Sequence, residues 1–207
     1  RNLIGEAGQG PIMLIGAHYD TRRRADRDSL DPAAPVPGAN DGASGVAVLL
    51  ELARSLDKSA LRNTVWLVFF DAEDNGDLDG WDYIAGSRAF ARDLQEKPEK
   101  VVIVDMIGDA DQQIYLDLNS DPALAAQLWQ IAADLGYGQQ FIPLPKYAMY
   151  DDHTPFAELG IPAVDVIDFD YPHWHTAQDT LDKLSPDSLQ RVGRVLQAWL
   201  ETVGSGQ

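Results

Sequence analysis

Thr64-Val65-Trp66-Leu67-Val68-Phe69-Phe70, followed at once by Asp71-Ala72-Glu73-Asp74, is the most strand-like run in the chain. β-branched and aromatic side chains fill it throughout, so it is expected to lie centrally in a sheet. It stops where acidic residues begin, and the same arrangement recurs elsewhere. Ile12-Met13-Leu14-Ile15 is apolar without alternation, the pattern of a strand buried on both faces, and it leads through Gly16-Ala17 to His18-Tyr19-Asp20. Val101 to Val104 runs into Asp105, and Pro162 to Ile167 leads into a loop carrying Tyr171-Pro172-His173-Trp174-His175.

Helical patterns lie between these strands. Val46, Leu49, Leu50, Ala53 and Leu56 repeat at helical spacing, after Gly42-Ala43-Ser44-Gly45, whose small residues would let the helix backbone approach a site closely. Tyr83 to Gln95 reads as helix, ending before Pro98. Asp121-Pro122 is an N-cap with proline at the first helical position, opening a helix to about Leu135. Asp152 to Leu159 reads as a short helix. Ser185-Pro186 opens a last helix with an apolar face of Leu189, Val192, Val195, Leu196 and Leu200. Asn2 to Glu6 and Pro11 to Ala17 read as a hairpin around Ala7-Gly8-Gln9-Gly10, Ile114 to Leu118 as a short strand, and Gly136 to Tyr150 as irregular.

Strands alternating with helices give a single α/β domain over residues 1–207, a three-layer sandwich with helices on both faces of a mostly parallel central sheet. The opening hairpin, and Ile114 to Leu118 if it joins, would make that sheet mixed. Two polar loops interrupt the pattern. Thr21 to Ala39 has neither helical nor strand period and is either a functional lid or a floppy insertion. Its Arg22-Arg23-Arg24 is expected to be a solvated turn. Asn75 to Asp82 is the second loop and carries Trp81.

Composition narrows the chemistry. The 207 residues suffice for one full core, and 45% of them are hydrophobic, so the chain is globular. It has no cysteine, so any metal must sit on His and carboxylates. Acidic residues number 33 against 16 basic, a formal charge of −17, which opposes nucleic acid and anionic membranes as partners; the charge reads first as a source of solubility, with attraction of a cationic ligand such as a peptide amino terminus as the sharper alternative. No apolar run reaches the roughly 20 residues a membrane span needs. The chain opens at Arg1 almost directly in a strand, the pattern of a start from which an amino-terminal segment has been trimmed. A secreted or periplasmic location would be compatible with such trimming.

Sites in open α/β sheets form beyond the carboxyl ends of the strands. Here those ends carry His18, Asp20, Glu73, Asp74, Asp105 and His175, with Asp41 at a helix start. So many carboxylates together would be costly without a cation, and zinc accepts both imidazole and carboxylate. Asp20 is placed to accept the second imidazole hydrogen of His18. Glu73 and Asp74 are adjacent on an extended segment, so their side chains diverge. One can hold metal while the other acts as general acid/base toward a substrate.

Jointly, His18-x-Asp20, Asn40-Asp41-Gly42-x-Ser44-Gly45, Glu73-Asp74, Asp105-Met-Ile-Gly108, Asp152-His153-x-Pro155-Phe156 and His175-Thr176-x-x-Asp179 resemble the metallopeptidase family that contains the co-catalytic zinc aminopeptidases and the animal-type glutaminyl cyclases. The resemblance runs from Gly16 to the last helix. It implies that His18, Asp41, Asp74, Asp105 and His175 stand at the metal positions of the two-zinc aminopeptidases. It implies equally that Asp41, Asp74 and His175 stand at the ligand positions of the single zinc in the cyclases, and that Glu73 is the general acid/base in both. Asp74 departs from the glutamate usual there, which leaves the number of metals open. Trp174 before His175, Trp81 after Glu73, and Asp151 with Glu73 and Asp105 are similar to the pocket tryptophans and carboxylate network of the cyclases. The resemblance thus implies an enzyme acting on peptide or protein amino termini. The favoured activity is cyclisation of amino-terminal glutamine to pyroglutamate with release of ammonia, on one zinc. The alternatives are an aminopeptidase with two zincs, or a non-catalytic domain of the same fold.

Overall fold

The apolar runs do form one sheet. The computed structural model describes residues 1–202. In chain order its elements are β1 (Leu3–Ala7), β2 (Ile12–His18), α1 (Ala43–Ser55), β3 (Thr64–Phe70), α2 (Ala85–Arg92), β4 (Lys100–Asp105), β5 (Ile114–Asp117), α3 (Pro122–Asp134), β6 (Phe141–Tyr147), α4 (Thr154–Glu158), β7 (Ala163–Ile167) and α5 (Pro186–Thr202). The main sheet has five strands in the order β1-β3-β2-β4-β7. β3, β2, β4 and β7 are mutually parallel, and β1 lies antiparallel on β3.

Both faces are covered, which explains the unbroken apolar runs. Met13 and Ile15 of β2 and Val102 and Val104 of β4 point to one face, where Leu49 and Leu52 of α1, Leu128 of α3 and Val192, Leu196 and Trp199 of α5 cover them. Leu14, Val68 and Ile103 point to the other, against Phe90 and Ala91 of α2 and Phe156 of α4. Burying each such side chain contributes about 1.5–3 kcal/mol. Gly16 is what allows β2 to sit between its neighbours: a Cβ there would lie 2.5 Å from Phe70 Cε2 and 2.8 Å from Ile103 Cδ1. The N-cap of α3 is Asp121, whose carboxylate accepts from the Leu124 N–H at 2.8 Å.

Several sequence expectations are corrected. The first two strands form no hairpin, because β3 lies between them. Gly8 and Gly10, both at positive φ, carry the chain across the start of β3, where a Cβ on Gly8 would lie 2.1 Å from the Asn63 carbonyl oxygen. β3 is interior but not central, since β2 holds the middle. β5 stays out of the main sheet and pairs in parallel with β6, within the stretch expected to be irregular. Pro143 and Pro145 remove donors from β6 and hide its strand pattern. Among the described residues, no helix is long and apolar enough to cross a membrane.

Candidate active site

The parallel strands deliver their carboxyl ends to one edge. His18 closes β2, Asp105 closes β4, Glu73 and Asp74 follow β3, and the loop after β7 brings His175. Asp41 lies just before α1, whose start is pressed into the sheet. A Cβ on Gly45 would lie 2.6 Å from the Val104 carbonyl oxygen, and one on Gly42, at φ 94°, would lie 2.7 Å from that of Asp20.

The residues read from sequence as ligands meet in two groups that share Asp41. In each group, His18–Asp41–Asp105 and Asp41–Asp74–His175, one donor atom per residue lies within 4.8 Å of the others. His18 Nε2 is 3.0 Å from Asp105 Oδ1 and 3.2 Å from Asp41 Oδ1. His175 Nε2 is 2.7 Å from Asp74 Oδ1 and 3.6 Å from Asp41 Oδ2. All five residues are buried. Asp41 Oδ2 and Asp74 Oδ2 have no hydrogen-bond partner there. Buried, unpaired carboxylate oxygens facing imidazole nitrogens, with no sulfur present, fit a divalent cation of zinc's preferences.

Backbone anchors fix this geometry. The Asp179 carboxylate accepts from the N–H groups of Asn40 at 2.8 Å and Asp41 at 3.1 Å, and from the Tyr171 hydroxyl at 2.7 Å. Asn40 Oδ1 accepts from the Gly108 N–H at 2.7 Å, tying the Asp41 loop to the segment after Asp105. Asp20 works differently from expectation. His18 Nδ1 pairs with the Asp20 backbone carbonyl at 3.1 Å, while the carboxylate stands 3.7 Å off. That carboxylate instead accepts from the N–H groups of Glu73 at 3.0 Å and Asp74 at 3.2 Å. Ala72, Met106 and His175 hold positive φ of 56°, 47° and 56°, so three of the delivering loops carry backbone strain of order 1 kcal/mol or more each.

A cavity of about 240 Å³ opens above the Asp41–Asp74–His175 group. Glu73, Asp105 and Asp151 face it, and Tyr83, Met149, Phe169 and Trp174 contribute its apolar wall. Trp174 stacks on the His175 ring at 4.0 Å and meets Phe169 at 4.9 Å. Trp81 is not among the lining side chains. It is 52% exposed and sits beneath the Arg23 guanidinium at 5.8 Å. Tyr83, which sequence reading passed over, lines the cavity instead. The helix read from sequence over Tyr83 to Gln95 begins instead at Ala85 and ends at Arg92, which leaves Tyr83 in the loop before it. Of the three arginines expected to be solvated, Arg23 and Arg24 reach out to Asp79, but Arg22 is buried.

Electrostatics mark the same spot. Burial pushes the Glu73 carboxyl well above its ordinary range; Asp74, Asp151 and Asp152 add to this and His18 opposes it. Asp151 is driven up by burial, Asp105 and Asp152. Burial disfavours a charged His18, yet Asp105, Asp20 and Asp41 together hold it well above its usual value. Burial lowers His175 to about 4 despite the nearby Asp41, so this imidazole is neutral and its nitrogen lone pair is available. Carboxyls whose proton affinity is raised by burial in a cleft mark a candidate acid/base site.

Known proteins share this architecture. The bovine glutaminyl-peptide cyclotransferase-like protein is 26% identical over 94% of this chain and 58% of its own length. The glutaminyl cyclase structure of Porphyromonas gingivalis superposes with a TM-score of 0.88 at 34% identity, covering 98% of this chain and 77% of that one. A Zn-dependent exopeptidase from Parabacteroides distasonis has a TM-score of 0.88 at 28% identity, over 97% of this chain and 77% of that one. The chain therefore spans under two thirds of the bovine relative and about three quarters of the two solved chains. The model of one family matches residues 2–200, nearly the whole sequence. The chain belongs to peptidase family M28.

Proposed function

We propose that this enzyme is a zinc-dependent glutaminyl-peptide cyclotransferase, converting amino-terminal glutamine to pyroglutamate with release of ammonia. The observation that carries this reading is the small cavity in which Trp174, Phe169 and Tyr83 wall off a space faced by Glu73 and Asp151 above the Asp41–Asp74–His175 group. Likeness to the Porphyromonas gingivalis cyclase supports it. Asp41, Asp74 and His175 would hold one zinc. When bound, zinc supplies Lewis acidity at the γ-carbonyl oxygen of the glutamine.

The chain's own residues do the rest. The neutral α-amine attacks the γ-carbonyl carbon through its nitrogen lone pair, and as the new C–N bond forms Glu73 takes the one proton that this nitrogen sheds. The same carboxyl then delivers that proton to the departing nitrogen, which leaves as ammonia. Its upward-displaced affinity for protons suits both halves of this shuttle. Asp151, which faces the same cavity with Asp105, adds to the proton affinity of Glu73. Nucleophile and electrophile belong to one residue, so orientation and exclusion of water supply much of the rate, on the order of several kcal/mol. The aromatic wall provides both.

The intact His18–Asp41–Asp105 group favours a second reading, an aminopeptidase with two zincs in which Glu73 activates water. Incubating a glutamine-headed peptide with zinc-loaded protein and following its mass separates the two. Loss of ammonia alone, absent in the enzyme-free control, is expected. Loss of the whole first residue would replace the cyclase reading with the peptidase one.

A further inference from the structure

The loop after Asp20 grips the candidate metal site from behind. Arg22, 2% exposed, donates from Nη1 to the carbonyls of Asp74 at 2.8 Å and Gly76 at 3.0 Å. Its Nε and Nη2 make a two-pronged pair with Asp26 at 2.6 and 2.8 Å. The Asp26 carboxylate held this way faces His175, with Oδ1 3.9 Å from Nδ1. That nitrogen is buried and has no hydrogen-bond partner. The next residues hold the same loop: the Arg27 N–H donates to the His175 carbonyl at 3.2 Å, its guanidinium lies 4.8 Å over the Trp174 ring, and Asp28 accepts from the Ala177 N–H at 3.1 Å.

We propose that Asp26, clamped by Arg22, is the positioning residue for His175: it takes the Nδ1 hydrogen and so fixes the tautomer whose Nε2 lone pair points at Asp41 and Asp74. The inference rests on the reading of that group as a zinc site. An imidazole can offer Nε2 to a cation only when its ring proton is on Nδ1, and a buried N–H without an acceptor costs about 1–3 kcal/mol. Ligating histidines meet this need with a carboxylate or carbonyl behind the ring. Around His175 Nδ1 the neighbouring charged groups are Arg22, Arg27 and Asp26. Of these, only Asp26 can accept, and its Oδ1 is the carboxylate oxygen that stands 3.9 Å from Nδ1. Arg22 makes the device cooperative. One guanidinium fixes the carbonyl of Asp74 and the carboxylate behind His175, so ligands from two different loops are set by one side chain.

The test is zinc affinity of the stripped protein, measured by competition with a chromophoric chelator, for the parent and for Asp26→Ala. Asp26 is partly exposed, but its carboxylate pairs with the buried Arg22, so the zinc-free melting temperature of the variant is measured alongside and is expected to fall by several degrees while the chain remains folded. Its zinc affinity is expected to fall about 10- to 100-fold. Unchanged affinity in a parent that binds zinc overturns the role of Asp26 alone, whereas a parent that binds no zinc overturns the metal reading itself. Nitrogen-15 histidine spectra of the zinc-loaded parent give a readout that needs no variant. The His175 signal should be the Nδ1–H tautomer with slow solvent exchange, and the opposite tautomer or fast exchange refutes the proposal.

Discussion

Asp152 gives the sharpest quantitative test of these electrostatics. Its side chain is fully buried, and neither carboxylate oxygen has a hydrogen-bond donor. The nearest hydroxyl, Ser87, eases the charged form but already donates to the Ile84 carbonyl at 3.1 Å. Burial, with the charges of Asp105 and Asp20, outweighs Ser87 and His18 and raises the carboxyl to about 7. In the unfolded chain it titrates near 4. A folded-state value above the unfolded one means that stability is complete below about pH 4 and is lost as pH rises through about 7. At 1.36 kcal/mol per unit, the full penalty is on the order of 4 kcal/mol, of which roughly two thirds develops between pH 5 and 8. Asp152→Asn carries no charge at any pH, and its own unpaired amide costs the same at both. Urea unfolding in the presence of a chelator, for parent and variant at pH 5 and pH 8, isolates the difference. The variant should gain roughly 2–3 kcal/mol on the parent over that range, about 5–10 °C in melting temperature for a chain of this size. A stability gap that does not change with pH, or that moves in the parent's favour at pH 8, would refute the reasoning.

Glu73→Gln should lower turnover by about 10²–10⁴-fold while zinc per chain, measured by atomic absorption, stays at the parent value. Activity that survives would remove Glu73 from the acid/base role. His175→Ala should abolish zinc binding at the Asp41–Asp74 group, and a zinc content equal to the parent's would sink the ligand assignment. Gly16→Ala forces a methyl against Phe70 and Ile103, so it should destabilise by about 1–3 kcal/mol, read from denaturant midpoints at constant slope. A neutral result would mean that the β2–β3–β4 packing is looser than the contacts indicate.

β2, β3 and β4 were legible because each is an apolar run leading to a His or an acidic residue, and that pattern survives any choice of neighbours. Partner choice was not. Nothing in Asn2 to Glu6 says whether it pairs with β2 or β3, since the deciding contact is the passage of Gly8 over Asn63. β6 was hidden by its own prolines. Within the candidate site, the imidazole and carboxylate side chains and their strand-end positions read directly. The finer arrangement did not, because it depends on which atom of a residue is used: Asp20 meets His18 through its carbonyl and the next loop through its carboxylate. Arg22 looked like one of three solvated cations because burial of a guanidinium leaves no sequence period, and Tyr83 was passed over for a larger aromatic two positions earlier.

Asp179 has a consequence for how the molecule is made. Its carboxylate secures the Asn40–Asp41 turn across 139 positions of chain, and His175 meets Asp74 across 101. On a ribosome, the early carboxylates emerge long before the side chains that complete their pockets. During that interval Asp41 and Asp74 lack both their imidazole and their anchor, and any ion they attract is held as loosely as by a disordered acidic peptide. On the proposed ligand assignment, selective metal loading follows translation of the last loop, and a chain that stops ahead of Asp179 lacks the carboxylate that secures the Asn40–Asp41 turn.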